Sequence, residues 1–431
     1  MRLLYCENLA VGMKLGQPVY GAAGQLLLAP GATMSARYIA LLGEMGIPAV
    51  YVADPDTSDV SPPQYVRPQT RAAAWRSLTS IAECLAPAAA DLRKQSLSLT
   101  HEHAGSERFA QAVRSTFRGA DLEALGKSVD AVMADLLDQN VLVGLNTIKT
   151  HDAYTFQHSI DVTIMGIVLA RKLGWPASRV RMFGIGSMLH DIGKIMVAAD
   201  ILNKPGQLTE DEFTDMKAHP ERGYHILRAI RPALGAVIPQ AAYQHHERQD
   251  GSGYPRGLKG TNTLGEHEPG KIHDFGAVCA VADVYDAMSS TRPYRKGWAP
   301  DRVVATIAGM AGTHLNREAV NAFLSVVAPF PVCSEVTFIG GKHAGCRGIV
   351  TSVPENDRAR PTVRVLEDRT GTRLEAFDVD LRIDPDSRIR SAEADEVRAE
   401  SMGSRRQPPR PAAPLPAEVV ASLRQLHQTR A

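Results

Sequence analysis

Cysteine is scarce in this chain, and its few copies are scattered. The 431 residues contain five cysteines, none of them in a Cys-x-x-Cys pair. Disulfide-rich scaffolds and zinc ribbons need denser, regularly spaced cysteines, so both classes are excluded. A reducing compartment suits such a composition, and we expect a cytoplasmic protein.

Long apolar runs and net charge are also lacking. No stretch reaches the roughly 18 apolar residues that a membrane helix needs, and the first residues show no signal-peptide pattern. The formal net charge is only +1. This balance of charges produces no overall electrostatic field that would attract nucleic acid or an anionic membrane. Any phosphate group must therefore be recognised by a local cluster of charged residues. We expect no membrane span and no nucleic-acid partner.

The patterns that are present divide the chain into unequal units, and the fold class is predicted to be mainly α. Short β-prone pieces between Gly and Pro turns open the chain, helical spacing dominates its middle, and period-two alternation returns late. The predicted units are a small α+β module (1–53), a linker and helical segment (54–121), a helical domain (122–330), a small β-barrel-like module (331–384), and a largely disordered tail in which a short terminal helix can form (385–431).

Helix signals are strongest in the central unit. An apolar stripe with helical spacing consists of Val129, Val132, Met133, Leu136 and Leu137. A later helix is predicted to end at Gly174, just before Pro176. Residues 209–212, Thr-Glu-Asp-Glu, match a capping box that opens another helix.

Histidines and aspartates recur in this helical unit at places where apolar spacing favours other residues. The set consists of His158, His190, Asp191, His219, His245, His246 and Asp283. Imidazole and carboxylate without thiolate suit iron, manganese and other first-row metals better than structural zinc or calcium sites. Seven ligands are too many for one ion, so we expect two.

The adjacent pairs restrict the local structure. Neighbours on a regular helix point about 100° apart, so both reach one site only near a helix end or between two ions. His245 and His246 are therefore predicted to close a helix. In the turn that follows, Gly251 and Gly253 permit positive φ, and Pro255 prevents the helix from restarting at once.

Several other histidines are interpreted as structural, because a lone histidine in a helical domain is more often solvated or hydrogen-bonded than a ligand. These are His225, His267, His273, His314 and His343. The pair His151 and Asp152 is interpreted as a chance match.

The motifs of the central unit resemble a known family. They are "YTFQHSIDV", "MLHDIGKI", "LTEDEFTDMKAHPERGYHIL", "QHHERQDGSGYPRGLKG" and "VADVYDAMSSTRPYR", spread over residues 136–330. Together they resemble the HD superfamily of metal-dependent phosphohydrolases, and in particular the HD-GYP family of cyclic di-GMP phosphodiesterases. The resemblance implies an HD-type helical bundle.

Site roles follow from the resemblance residue by residue. It makes the seven residues above the metal ligands, with Asp191 bridging two ions. Lys194, Arg292 and Arg295 match positions that hold substrate phosphate, which agrees with ammonium and guanidinium chemistry. Asp286 also matches a site position, and capping or pairing with a nearby arginine is an equally open reading. The turn Gly253, Tyr254 and Pro255 is expected to contact substrate or to expose Tyr254 for docking.

Two departures from the family pattern affect these expectations. Some members carry a glutamate four residues before the first histidine, where it helps to bind a third metal. Tyr154 stands there in this chain, which favours a binuclear centre. The segment 261–271 is longer than usual, and we expect a surface loop near the rim of the site.

The implied reaction is hydrolysis of cyclic di-GMP to pGpG, which a second cleavage would convert to GMP, in second-messenger signalling. Two divalent ions, Fe or Mn, would activate a bridging hydroxide, with Asp191 and Lys194 as the catalytic residues. Two alternatives stay open: a catalytically weak sensor or scaffold that docks to GGDEF-type cyclases, and a phosphohydrolase of another cyclic dinucleotide. The helical stretch 69–116 could also pair with a copy of itself in a homodimer.

Overall fold

The computed structural model describes residues 1–21, 24–45, 47, 49–95, 107–117, 119–137, 154–202, 204, 206–230, 234–265, 268–290 and 297–392. Helices dominate, and small sheets lie near both ends of this part, so the mainly α prediction is confirmed. The predicted terminal helix of the tail falls outside the described residues.

The helices are numbered in chain order. They are α1 (Ala36–Glu44), α2 (Pro68–Gln95), α3 (Glu107–Thr116), α4 (Gly119–Asp135), α5 (Tyr154–Lys172), α6 (Ala177–Met188), α7 (Ala199–Leu202), α8 (Glu210–Lys217), α9 (His219–Ala229), α10 (Pro239–Gln244), α11 (Asp274–Ser289), α12 (Pro300–Gly309) and α13 (Arg317–Leu324). A 3-10 turn, Ile192–Met196, follows α6.

The strands form three antiparallel sheets. They are β1 (Arg2–Tyr5), β2 (Val19–Tyr20), β3 (Leu26–Leu28), β4 (Ala49–Val52), β5 (Glu335–Gly340), β6 (Arg347–Ser352), β7 (Thr362–Glu367), β8 (Arg373–Asp380) and β9 (Arg388–Ser391). β1 pairs with β4, β2 pairs with β3, and the third sheet has the order β8-β7-β6-β5-β9.

The N-terminal module encloses its own small core. Helix α1 begins at Ser35, whose hydroxyl accepts the amide hydrogen of Tyr38 as an N-cap. Leu42 on this helix packs with Leu15 and Val50 from the surrounding strands and turns. The module therefore combines short antiparallel strands with one helix.

The helical domain is built around two helices that are buried on nearly every side. Residues 158–170 of α5 and 274–283 of α11 are buried throughout, so both helices lie at the centre of the bundle. The predicted helix end at Gly174 and the Thr209 capping box are both observed. Val129 and Val132 on helix α4 are buried, as is Leu136 directly after the helix, but Leu137 is 65% exposed and so does not belong to the predicted stripe.

Helix α2 belongs to the central core, although its sequence was assigned to a linker and helical segment. Ala74, Leu78, Ile81 and Leu85 are almost completely buried and pack in the same cluster as α5 and α11. Arg71 on α2 donates to the buried carboxylate of Asp161 on α5 at 2.7 Å. The helix is therefore attached to the one that carries His158.

The C-terminal module is a five-stranded antiparallel sheet and extends further than its predicted boundary at residue 384. Strand β9 pairs with β5 and places Ile389 beside Phe338. The predicted disordered tail thus begins too early, because residues 388–391 complete the sheet and its core. Ser391 also donates to Asp301 at the start of α12 at 2.9 Å, which ties the sheet to the helical domain.

The segment directly after the N-terminal module contacts the C-terminal sheet through an ionic cluster. Arg364 on β7 donates to both carboxylate oxygens of Asp59, at 2.6 and 3.0 Å. Arg373 on β8 donates to Asp54 at 3.1 Å and also to Asp56. We call these five residues the clasp.

The expectations about membrane helices and disulfides can be compared with the described part of the chain. No helix there is both long and apolar enough to span a bilayer. All five cysteines lie in it, and none forms a disulfide.

Candidate metal centre

The seven predicted ligands come from five helices or their ends and meet at one place. His158 lies on α5, His190 and Asp191 follow the end of α6, and His219 is the first residue of α9. His245 caps the C-terminus of α10, with His246 directly after it, and Asp283 lies on α11. The prediction that His245 and His246 close a helix is confirmed.

The turn after α6 reaches α9 closely because it contains Gly193. A methyl group at this position would overlap the carbonyl oxygen of His219 and the amide of Gly223. Glycine therefore lets the backbone of the turn lie directly on α9. As a result Asp191 Oδ1 stands 3.2 Å from His219 Nε2.

The histidine rings are oriented by hydrogen bonds from their Nδ1 atoms. His190 Nδ1 donates to the Ser187 carbonyl at 2.7 Å, His219 Nδ1 to the Met216 carbonyl at 2.7 Å, and His245 Nδ1 to the Ala242 carbonyl at 2.9 Å. These bonds place the proton on Nδ1 and leave the Nε2 lone pair toward the centre. A hydrogen bond from one ring nitrogen to a backbone carbonyl is typical of histidines that bind a metal through the other ring nitrogen.

Asp191 lies between two groups of ligands that share no residue. One group is His219, His245 and His246, and the other is His158, His190 and Asp283; within each group the ligand atoms lie within 4.8 Å of one another. Asp191 Oδ1 faces the first group, 3.2 Å from His219 Nε2, and Oδ2 faces the second, 3.5 Å from His190 Nε2.

Charge and burial hold most of these groups in the protonation states that ligands need. Burial lowers the pKa of His190, and burial followed by the neighbouring His219 lowers the pKa of His246 to about 3. Burial alone would raise the pKa of Asp191, but Lys194 and His190 outweigh it and hold this pKa well below its usual range. At neutral pH the imidazoles of His190 and His246 are thus neutral, and they lie beside an ionised carboxylate.

His158 behaves differently from the other ligands. Burial would lower its pKa, but hydrogen bonds with Asp283 and Asp286 outweigh burial and raise the pKa to about 9. Its Nε2 lies 3.1 Å from Asp283 Oδ1. A metal at this position must compete with a proton.

Two buried atoms of the centre fit a bound cation. Among the described residues, His190 Nε2 and Asp191 Oδ1 are buried and have no hydrogen-bond partner. Buried polar atoms rarely stay unsatisfied in proteins, and lone pairs aimed at a common point are what a metal ion satisfies. The donor set therefore fits divalent metal.

The loop after His246 folds back over the centre. Gly251 has φ +84°, as predicted, but Gly253 is not in the positive-φ region. Glycine is needed at 253 for a different reason: a methyl group there would overlap the backbone of residues 246–248. This close approach lets the Tyr254 ring stack on His246, with centroids 4.7 Å apart. Tyr254 is half-buried, so the expectation of an exposed tyrosine at the loop tip is wrong.

Comparisons with known proteins identify this domain. Residues 145–319 match the family described as HD domain. Cyclic di-GMP phosphodiesterase PA4108 of Pseudomonas aeruginosa is 36% identical over 269 residues, covering 60% of this chain and 61% of that protein. The cyclic di-GMP phosphodiesterase response regulator RpfG of Xanthomonas campestris pv. campestris is 40% identical over 161 residues, covering 37% and 40%. We call the central domain, which contains this match and carries the motifs that resemble the HD-GYP family, the HD-GYP domain.

A relative with a different printed substrate also matches this chain. The 3'3'-cGAMP-specific phosphodiesterase 2 of Vibrio cholerae is 32% identical over 179 residues, covering 42% of this chain and 33% of that protein. The chain spans about three fifths or less of the length of these three curated relatives.

Sequence reasoning missed the role that the HD-GYP domain gives to Asp286. Its Oδ2 accepts a hydrogen bond from His158 Nδ1 at 2.6 Å, and the residue is only 5% exposed. The expected substrate contact and the pairing with a nearby arginine stay predictions, because Arg292 and Arg295 lie outside the described residues. The i, i+3 spacing of Asp283 and Asp286 was the available signal, because it places both carboxylates on one face of α11.

Of the residues predicted to hold substrate phosphate, the structure describes only Lys194. Lys194 Nζ donates to Asp191 Oδ2 at 2.5 Å. Arg292 and Arg295 lie outside the described residues, as does the side chain of Tyr154. Pro255 follows Tyr254 in a cis peptide bond.

The long segment 261–271 is attached to the HD-GYP domain at several points. Asn262 Nδ2 donates to the Gly312 carbonyl at 3.0 Å, and Leu264 N donates to Glu318 on α13 at 2.9 Å. Residues 266 and 267 are outside the described part. The anchored portion therefore lies against the start of α13.

The histidines interpreted as structural stay apart from the ligand groups in the described part of the chain. His273 Nδ1 accepts the Phe275 amide as the N-cap of α11, and His225 lies 3.7 Å from Glu221. His267 falls outside the described residues.

Proposed function

We propose that the HD-GYP domain hydrolyses a cyclic dinucleotide, with cyclic di-GMP as the preferred substrate and linear pGpG as the first product. Two divalent ions, Fe or Mn, are part of this proposal, since imidazole and carboxylate donors without thiolate suit both. The names of the curated relatives support the substrate class.

The observation that carries the proposal is the position of Asp191 between two ligand groups. Each carboxylate oxygen faces its own group, and the two groups have no residue in common. One shared carboxylate between two sets of three donors is the arrangement that a pair of neighbouring cations requires.

The side chains divide the chemical tasks among them. Metal ions, when bound, supply Lewis-acid activation of water and of the phosphodiester. Asp191 is proposed as the bridging ligand, kept ionised by Lys194. Lys194 has a side chain that is 23% exposed, so its ammonium can also donate to a non-bridging phosphate oxygen. Such a contact would stabilise the negative charge that develops during phosphoryl transfer.

Hydrolysis of another cyclic dinucleotide is the second candidate. The similarity to a 3'3'-cGAMP-specific phosphodiesterase supports it, because that protein is 32% identical over 179 residues of this chain. Both candidates use the same ligands and differ only in which base is recognised.

The experiment is to purify the full chain without oxygen and to measure bound metal together with pGpG release from cyclic di-GMP. We expect about two ions per chain and product in the same sample. Asp191→Ala should lose both metal and turnover, whereas Lys194→Ala should lose turnover and keep its metal.

His343→Ala is the control, since this histidine lies in the C-terminal sheet module and should change neither quantity. An Asp191→Ala protein that hydrolyses cyclic di-GMP at the native rate would contradict the proposal. Two ions without turnover on any cyclic dinucleotide would leave a metal-binding scaffold instead.

A further inference from the structure

The ring of His246 is held differently from those of the other histidine ligands. A hydrogen bond from Nδ1 fixes each of the other four rings, which are those of His158, His190, His219 and His245. In the described part of the chain the His246 ring makes no hydrogen bond. The torsion that turns a histidine ring is broad and roughly two-fold, so this ring needs another contact to fix its plane.

Aromatic rings of the described residues surround His246 and supply that contact. The ligand His219 lies edge-on, with 5.1 Å between centroids, and the ligand His245 is tilted, at 4.2 Å. The Tyr254 ring is the one that stacks, 4.7 Å away and with 26° between the planes. A nearly parallel ring contacts the whole face of the imidazole and therefore fixes its plane.

The loop holds Tyr254 in place through backbone hydrogen bonds on both sides. The Tyr254 amide donates to the His246 carbonyl at 3.2 Å. Further along, the carboxylate of Glu247, which is 3% exposed, accepts the amides of Arg256 and Leu258, both at 2.8 Å. The Tyr254 hydroxyl makes no hydrogen bond with any residue that the structure describes. The aromatic face of Tyr254, rather than its hydroxyl, is therefore what contacts the metal centre.

We propose that Tyr254 is a positioning residue for His246. Its ring fixes the plane of the imidazole and so raises the affinity of the ligand group that contains His246 for its ion. The inference rests on the proposed function, which assigns one ion to this group and one to the group that contains His158. It also gives the tyrosine of the Gly-Tyr-Pro turn a role in metal binding, in place of the expected contact with substrate.

The test counts the ions that stay on the full chain during competition with a chelator. The wild type, Tyr254→Ala, Tyr254→Leu and Tyr254→Phe are loaded with manganese and dialysed against increasing chelator. Tyr254→Ala should weaken the binding of one ion about 2- to 10-fold, the range for one aromatic stack, and change the other ion less. Tyr254→Leu should behave like Tyr254→Ala, because an aliphatic side chain has no flat face. Tyr254→Phe keeps the ring and should bind both ions as the wild type does.

Tyr224→Ala is the matched control. This tyrosine lies on α9 and also stacks on a ring, that of Tyr243 on α10, with centroids 4.1 Å apart and 15° between the planes. The change therefore removes a stacked tyrosine from the same domain without removing the ring that faces His246. We expect native binding of both ions. Far-ultraviolet circular dichroism should show the helical fold in every variant.

Turnover of cyclic di-GMP separates positioning from substrate contact. If Tyr254 acts through His246, excess manganese should restore kcat/KM of Tyr254→Ala to nearly the native value. A raised KM that persists in excess manganese, together with native ion binding, would overturn the proposal and assign the ring to the substrate.

The binding results decide the inference independently of turnover. Native ion binding in Tyr254→Ala would overturn it and leave the proposed function intact. So would three other results: an equal loss in Tyr224→Ala, an equal loss in Tyr254→Phe, or binding by Tyr254→Leu that matches Tyr254→Phe. They would point to general loosening, to the hydroxyl and to filled volume, respectively.

The wild type itself tests the proposed function. If it binds two ions without turnover, the comparison of ion binding still decides the role of Tyr254. If it binds a single ion, the two-ion proposal fails, and the inference stands only when Tyr254→Ala weakens that ion and Tyr254→Phe does not. A wild type that binds no manganese would reject both.

Discussion

A single hydrogen bond connects Asp286 to the metal centre, and it should control metal affinity. The carboxylate accepts from His158 Nδ1 at 2.6 Å and thereby turns Nε2 toward Asp283 and Asp191. We expect Asp286→Ala to weaken metal binding about 10- to 100-fold, because partners of this kind orient the ligand. Competition with a chelator measures the change.

Asp286→Asn is the informative companion variant. Its amide oxygen can still accept from Nδ1, so its loss of affinity should be smaller than that of the alanine variant. Native chelator resistance in both variants would show that His158 needs no support from Asp286. Far-ultraviolet circular dichroism should show the helical fold unchanged.

At the level of residues, the sequence predicted which histidines and aspartates meet in space, but not the contacts around them. Histidines and aspartates on an apolar helical background stand out because each is costly to bury without a partner. The contact of Asp286 with His158 and the packing of Tyr254 on His246 have no comparable signal. Both depend on where the ends of separate elements meet in space.

Among the contacts between secondary-structure elements, the one between the turn after α6 and helix α9 should be the most sensitive to an increase in side-chain volume. A methyl group on Gly193 would overlap backbone atoms of α9, which cannot move aside as a flexible side chain can. We expect Gly193→Ala to destabilise the fold by about 1–3 kcal/mol and to reduce bound metal, because Asp191 must move away from His219. Chemical unfolding and metal analysis measure the two effects.

Gly309→Ala provides the control at the end of α12. A methyl group there has no heavy atom within 4 Å, and the residue is helical. Its stability should change by less than about 1 kcal/mol, with native metal content. If Gly193→Ala matched this control in both respects, the close packing of the turn on α9 would not matter.

Helix α2 shows why the place of a helix in the fold was harder to predict than the clustering of the histidines. Its alanine-rich sequence gives a weak apolar pattern, and it contains Pro87, so only a helical segment of uncertain membership was predicted. In the structure, Ala74 and Leu78 are buried against the central helices. Because alanine side chains are small, the buried and exposed faces of this helix differ little in hydrophobicity along the sequence. The residues that bury α2 come from distant parts of the chain, which its local pattern does not reveal.

For the whole molecule, the clasp should hold the N-terminal module against the C-terminal sheet. Arg373 donates to Asp54 and Asp56, but its side chain is 49% exposed, so the pair should contribute only about 1 kcal/mol or less. We expect Arg373→Ala to speed proteolytic release of the N-terminal module by up to roughly fivefold, with the effect of the change reduced at high salt. Limited proteolysis at two salt concentrations measures it.

Arg382→Ala is the matched control, since this arginine pairs with Asp380 inside the C-terminal module. It should leave the proteolysis rate at the native value, and metal content should be native in both variants. Equal rates for Arg373→Ala and the wild type at low salt would show that the clasp does not hold the modules together.

The contact between the two modules was not predicted at all. Residues 1–53 and 331–384 were assigned as separate units, because periodicity describes local structure and carries no information about partners 300 residues away. The clasp residues are ordinary aspartates and arginines in polar segments, where charge is expected in any case.

The clasp also constrains the order in which the protein can assemble during synthesis. Asp54 and Arg373 are separated by 319 positions in the chain. At about 5–20 residues per second, the ribosome makes Arg373 roughly 15–60 s after Asp54. Asp54, Asp56 and Asp59 must therefore wait without Arg364 and Arg373 while the whole helical domain is made, and the clasp can form only after β8 has emerged.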